Sequence, residues 1–164
     1  MKHIAVVSLI ALALAACQGG QRSANQMPSF YVSLTNANAV VDAATARDMI
    51  SAYRGNKGLG RLALDPDLQA EAEAEADAMA AADKPSSAET LKSRLAAKGV
   101  IAPAVNLSAG YHTLAEAFSG WRESPQHDRV LLDPQATRMG IATAYTPRSK
   151  YKVYWVLVVA GPKR

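Results

Sequence analysis

The closing segment of this chain, YWVLVVAG from Tyr154 to Gly161, constrains its fold more than any other stretch. A strand with one wet face alternates apolar and polar residues, because successive side chains point to opposite sides of the sheet. From Val153 to Val159 both faces are apolar, so the strand must be covered on both sides. Helices above and below one sheet give three layers. The expected class is therefore α+β, a three-layer α-β-α sandwich with a central antiparallel sheet. Met139, Ile141, Thr143 and Tyr145 alternate with small residues just upstream, and Pro147 to Lys150 forms a turn between the two strands.

The helices are legible by period and punctuation. Ala46, Met49, Ile50 and Tyr53 fall at helical spacing and place a first helix over Val41–Tyr53, stopped by Gly55. Asn56 to Gly60 is a loop. Asp65 caps a second helix, with Pro66 in the first helical position and Asp67 at the positive end of the helix dipole. That helix, DPDLQAEAEAEADAMAAA, buries Leu68, Ala72, Ala76 and Met79. Glu71, Glu73, Glu75 and Asp77 read as its solvated face rather than as a metal site. Ser86-Ser-Ala-Glu89 is a capping box that opens a third helix with Leu91, Leu95 and Ala96 inward and Gly99 at its end. Val100 to Val105 is an apolar, extended approach to Asn106-Leu107. A second capping box, Thr113-Leu-Ala-Glu116, opens a helix whose Leu114, Ala117, Phe118 and Trp121 form one buried stripe. Ser124-Pro125 starts a short helix running to Leu132, ended by Asp133-Pro134.

The first residues read as a targeting segment. Met1-Lys2-His3 is a basic start, and the apolar run Ile4–Ala16 is shorter than the ~20 residues that span a bilayer. The sequence LALAAC, Leu12 to Cys17, resembles the lipobox of bacterial lipoproteins. That resemblance implies a signal peptide at 1–16 and a diacylglycerol-bearing Cys17 as mature N-terminus. Cys17 is the only cysteine, so no internal disulfide is available to it. Buried acyl methylenes, at ~0.8 kcal/mol each, would hold the protein to the membrane. Gln18, where an Asp marks inner-membrane retention in such lipoproteins, favours the outer membrane, with the protein facing the periplasm. Residues 17–38 are then a lipidated Cys and polar tether, on which Phe30, Tyr31 and Val32 could dock, and 39–164 are one domain.

Charge excludes one partner class. Eighteen basic and 14 acidic residues give +4 at neutral pH, and they are scattered without a basic stripe interleaved with aromatics. No nucleic-acid surface is indicated. Gly58 and Gly60 lack the Lys of a phosphate-binding loop, and G-x-S-x-G is absent.

Taken in order, these pieces resemble the CAP superfamily: cysteine-rich secretory proteins, antigen 5 and pathogenesis-related 1. ARDMISAYRGNKGLGRLALDPDLQAEAEAEADAMA is similar to its opening helix, loop and Ala-rich second helix. VNLSAGY stands where the family has an E-N-I-A-like segment. TLAEAFSGWRESPQHDRVLLDPQATRMGIATAY is similar to its Trp helix, its S-P-x-H-R-x-x-L stretch and the following strand, and YWVLVVAG to its closing strand. The resemblance covers about residues 39 to 161 and implies the same sandwich.

It also implies a cleft in which many members hold a divalent metal, often zinc, with two His and two acidic residues. His127 matches the second His. No His stands in ADKPSSAE, Ala82–Glu89, where the first is expected, and Val105 replaces the Glu before Asn106. Glu123 or Glu116 could stand for the second acid, and His112 could substitute for the missing His. Each has a plainer reading: Glu116 as capping-box acid, Glu123 as surface residue, His112 as exposed loop. Zinc sites take at least three protein ligands, so no metal is expected, and His127 and Asn106 are the cleft candidates. Ser108, Ser124 and His127 lack an acidic orienting partner, and Ser124 reads better as an N-cap. Three functions follow: a non-enzymatic membrane-tethered module binding a lipid, a wall component or a protein; a metal-dependent or serine-type hydrolase; or a structural envelope lipoprotein without ligand. The first is the expectation.

Overall fold

The computed structural model describes residues 27–163. The expected signal peptide and Cys17 lie outside them. The elements are α1 (Ala43–Gly55), β1 (Ala63–Leu64), α2 (Pro66–Ala82), α3 (Ala88–Ala97), β2 (Ala104–Ala109), α4 (Leu114–Glu123), α5 (Pro125–Leu131), β3 (Arg138–Tyr145) and β4 (Val153–Ala160). No helix among the described residues is long and apolar enough to cross a membrane.

β4 is the strand that the apolar run demands. All eight of its residues are fully buried. Val153, Trp155, Leu157 and Val159 enter one core with α1, α4 and α5. Tyr154, Val156, Val158 and Ala160 enter a second core with α2 and α3. The sheet order is β1-β3-β4-β2, antiparallel throughout except at one edge. There the two-residue β1 pairs in parallel with Arg138 and Met139 of β3. The sheet is thus mixed by one short strand too brief to leave a period in the sequence.

The caps hold the helices largely where expected. Asp42 accepts from the Thr45 amide at 3.0 Å and starts α1 two residues later than its apolar spacing suggests. Asp65 caps α2 by accepting from the amides of Asp67 and Leu68. In α3 the cap is Ser87, which accepts from the Thr90 amide, so the box read from Ser86 is shifted by one residue, and Glu89 pairs with Lys92 instead. Ser124 makes no side-chain cap bond; only its carbonyl accepts, from the Asp128 amide. Gly140 lets α2 lie on β3: an added Cβ would stand 2.3 Å from the Leu68 carbonyl carbon.

Two features depart from the sequence expectation, and a third has no counterpart in it. Residues 28–38 belong to the domain, not to a free tether. Ser29–Tyr31 forms a 3-10 turn, Leu34 is buried in the first core, and its amide donates to the His112 carbonyl at 2.8 Å. Phe30 packs on that core, while Tyr31 and Val32 stay exposed. Next, the acidic run of α2 is only half solvated. Glu73 and Asp77 are exposed, but Glu75 is buried and meets Arg94 of α3 at 2.6 Å, and Glu71 pairs with Lys98. Finally, Arg54 is buried at the end of α1. Its guanidinium donates to the carbonyls of Gly60, Leu131, Asp133 and Ala136, at 2.8 to 3.0 Å, and so ties α1 to the loop before β1 and to the α5–β3 connection. Burial pushes its pKa down, partly offset by Asp133. Five donors in a planar fork suit this crowded set of acceptors.

Candidate functional site

β2 is an edge strand, and a cleft of about 700 Å³ lies along it. Ala104, Val105 and Leu107 contribute its floor. The start of α3, with Ser86, Ser87, Glu89 and Lys92, makes one wall. α5 makes the other, with Gln126, His127, Arg129 and Val130, and Asp133 follows. A smaller hollow of about 370 Å³ lies between α2, the α3–β2 turn and the C-terminal residues. Its charges are already paired, Lys98 with Glu71 and Lys163 with Asp67, so it offers a ligand little.

His127 is placed by the Ser-Pro start of α5, which sets it on the first turn of that helix, against β2. Its main-chain carbonyl accepts from the Asn106 side-chain amide at 3.0 Å. Asn106 is wholly buried, and its Oδ1 has no hydrogen-bond partner among the described residues; neither has the buried Nδ1 of His127. Burial lowers the His127 pKa. The imidazole is therefore neutral at neutral pH, with Nδ1 either an unpaired acceptor or an unpaired donor. Two buried polar atoms without partners are a cost that surrounding structure must sustain. They single out this corner of the molecule.

The other candidates do not join it. His112 is exposed; its amide donates to Glu116 at 2.6 Å and its carbonyl serves Leu34. Glu116 is the acid of the α4 cap, reached one residue earlier than Thr113, while Thr113 accepts from the Glu116 amide. Glu123 is exposed at the end of α4. Ser108 accepts from the Trp121 indole at 3.1 Å, and no hydrogen bond joins Ser108 or Ser124 to His127. Among the described residues no group of three or more His, Cys, Asp or Glu could hold a metal ion. Val105 is buried and apolar where a carboxylate would be needed. These residues do not fit a zinc centre, which takes three or four protein ligands. The cleft instead brings together one neutral imidazole, an apolar floor and a charged rim of Glu89, Lys92, Arg129 and Asp133.

Residues 47–159 match the model of the cysteine-rich secretory protein (CAP) family. The chain belongs to the CAP family. Solved structures agree on the fold. An extracellular SCP-domain protein of Bacillus anthracis is 21% identical with a TM-score of 0.60, over 73% of this chain and 40% of that one. An outer surface protein of Borrelia burgdorferi is 16% identical with a TM-score of 0.63, over 73% of this chain and 92% of that one. A cysteine-rich secretory protein of Staphylococcus aureus is 18% identical with a TM-score of 0.59, over 73% and 38%. The Bacillus and Staphylococcus proteins are thus more than twice the length that this CAP domain matches. A search of curated protein sequences finds no match. The CAP cleft here holds His127, with Val105 before Asn106 and no His in Ala82–Glu89.

Proposed function

We propose that this chain is a non-enzymatic, lipid-anchored CAP module of the bacterial envelope that binds its ligand in the cleft along β2. The observation that carries the reading is the cleft itself: about 700 Å³, in the range of small-ligand sites, with one neutral imidazole and no ligand set for a metal. General base catalysis by His127 would need a nucleophile within reach; Ser108 is engaged by the Trp121 indole, Ser87 caps α3, and among the described residues no hydrogen bond joins the His127 side chain to a serine. The hydrolase alternative therefore has no constellation to run on. An extracytoplasmic location is supported by the lipobox-like LALAAC and by structural relatives described as extracellular, outer-surface or secretory proteins. Lipidated Cys17 would hold the protein to the membrane, with Gln18 directing it to the outer membrane facing the periplasm.

Two measurements test this. Cys17→Ser is expected to move the protein from the membrane pellet to the soluble fraction; a variant that still pellets refutes the anchor. Native mass spectrometry of the detergent-extracted protein is expected to show a metal-free chain, bare or carrying an organic ligand. A stoichiometric metal would reinstate the hydrolase.

A further inference from the structure

The two edges of the sheet are treated differently. The outer edge of β3 is sealed. β1 covers Arg138 and Met139, and the Asp65 amide donates to the Met139 carbonyl. One residue pair further on, the Gln69 side chain stands in for a strand: its Nε2 donates to the Ile141 carbonyl at 2.9 Å and its Oε1 accepts from the Ile141 amide at 3.0 Å. Covering an edge in this way prevents unwanted strand pairing.

β2 has no such cover. The Gly110 amide donates to the Val153 carbonyl, its register partner in β4. In an antiparallel ladder, bonded and non-bonded residues alternate. Ala104, Asn106 and Ser108 thus face β4, and the main-chain groups of Val105, Leu107 and Ala109 face outward. Among the described residues no side chain and no other backbone segment pairs with the outward groups of Val105 or Leu107. These two residues form the cleft floor.

We infer that the cleft takes an extended polypeptide segment of another protein, which adds as a fifth strand to β2 and places a carboxylate against Arg129. The inference rests on the binding reading above and names its ligand class. Val105 and Leu107 are two positions apart, so their outward groups recur at about 7 Å, the repeat of an extended partner strand. A lipid chain would leave those amides and carbonyls unpaired and desolvated, which is costly. A second copy is a poor occupant, because its own β2 lies sunk between its own α3 and α5. The cleft between those walls, about 700 Å³, offers volume for a short single strand. Charge selects the end group: Glu89 is paired to Lys92 and Asp133 accepts from the Gln135 amide, whereas Arg129, on the cleft wall, has no ion pair or hydrogen bond among the described residues. Strand addition draws affinity from main-chain bonds and specificity from alternate side chains.

The test is amide hydrogen exchange by NMR on the detergent-extracted full-length protein, with two pools of randomised pentapeptides, one ending in a free carboxylate and one amidated. In the free protein the Val105 and Leu107 amides exchange fast while Asn106 and Ser108 are protected. The carboxylate pool protects Val105 and Leu107, and Arg129→Gln weakens that pool about two- to five-fold, as loss of an exposed ion pair would, without affecting the amidated pool. Slow exchange at Val105 and Leu107 in the free protein, no protection by either pool, or indifference to Arg129→Gln each overturns the inference. If phosphatidylglycerol vesicles shift the cleft resonances and peptides do not, the peptide inference fails while the binding module stands. Stoichiometric zinc at His127 removes both.

Discussion

Replacing Arg54 with Met tests how the cleft's second wall is held. Met keeps much of the length of the side chain and removes every donor. Four carbonyls then lose the guanidinium, and three of them, Gly60, Leu131 and Ala136, have no other partner among the described residues, while Asp133 still accepts from the Ala136 amide. The bonds to Leu131 and Ala136 are buried, and those to Gly60 and Asp133 are partly so. A buried acceptor left unsatisfied costs about 1–3 kcal/mol. Loss of the guanidinium also ends the cost of burying its charge, so the net falls below the sum. Removal of one side of a buried charged network costs about 3–5 kcal/mol in comparable cases, and that range is expected here. Arg54→Lys keeps the charge but cannot reach all four acceptors and falls between. Urea unfolding followed by the fluorescence of Trp121 and Trp155 gives the number, with a midpoint shift of roughly 2 M for Met. Because Arg54 anchors the end of α5, exchange at the α5 amides should accelerate more than at β4. A loss below about 1 kcal/mol, or a Lys variant as stable as the parent, would refute the reasoning.

Three further outcomes follow from the same geometry. Burial alone would raise the Asp65 pKa, but the bonds from Arg138, the Leu68 amide, Lys163 and the Asp67 amide outweigh it and hold it at about 2, against 3.8 for a free carboxyl. A depressed carboxyl stabilises the fold fully above pH 4, and that contribution is lost as pH falls through about 2. About 2 kcal/mol should vanish over that window in acid titrations and be largely missing in Arg138→Gln. Gly140→Ala drives a methyl into the α2 backbone at Leu68, and thermal melts should show a loss of about 1–3 kcal/mol or more. For His127, whose pKa burial lowers, the unfolded chain takes up a proton before the folded one does, so stability declines as pH drops below about 6.5. His127→Gln should flatten that decline, and an unchanged pH profile would place the imidazole in water instead.

The layering was legible because burial on two faces erases alternation. The stretch 153–159 says so without reference to any other part of the chain, and all eight residues of β4 are buried accordingly. The Trp helix was legible for the same kind of reason: Leu114, Ala117 and Trp121 repeat at the helical period and are buried. Isolated residues were not. Leu34 follows Phe30-Tyr31-Val32 in an otherwise polar stretch with no helical or strand period, so nothing local reveals which of these four enters the core. Glu75 carries a charge that reads as solvent-facing, nothing local to Arg54 signals its burial, and only their partners from distant segments, Arg94 and the four carbonyls, explain why both are buried. At the cleft, His127 and Asn106 were named in advance by family likeness. The place of Arg129 on the cleft wall and the uncovered edge of β2 were not, because both depend on the strand order β1-β3-β4-β2, which no local pattern encodes.

Ligand binding without a metal is what we propose for the CAP cleft of this protein. Elemental analysis of the protein extracted from membranes, beside its His127→Ala variant, tests it most directly. Both are expected to contain far less than one equivalent of any divalent metal, and both to fold. One equivalent of zinc in the parent, lost on His127→Ala, would contradict it.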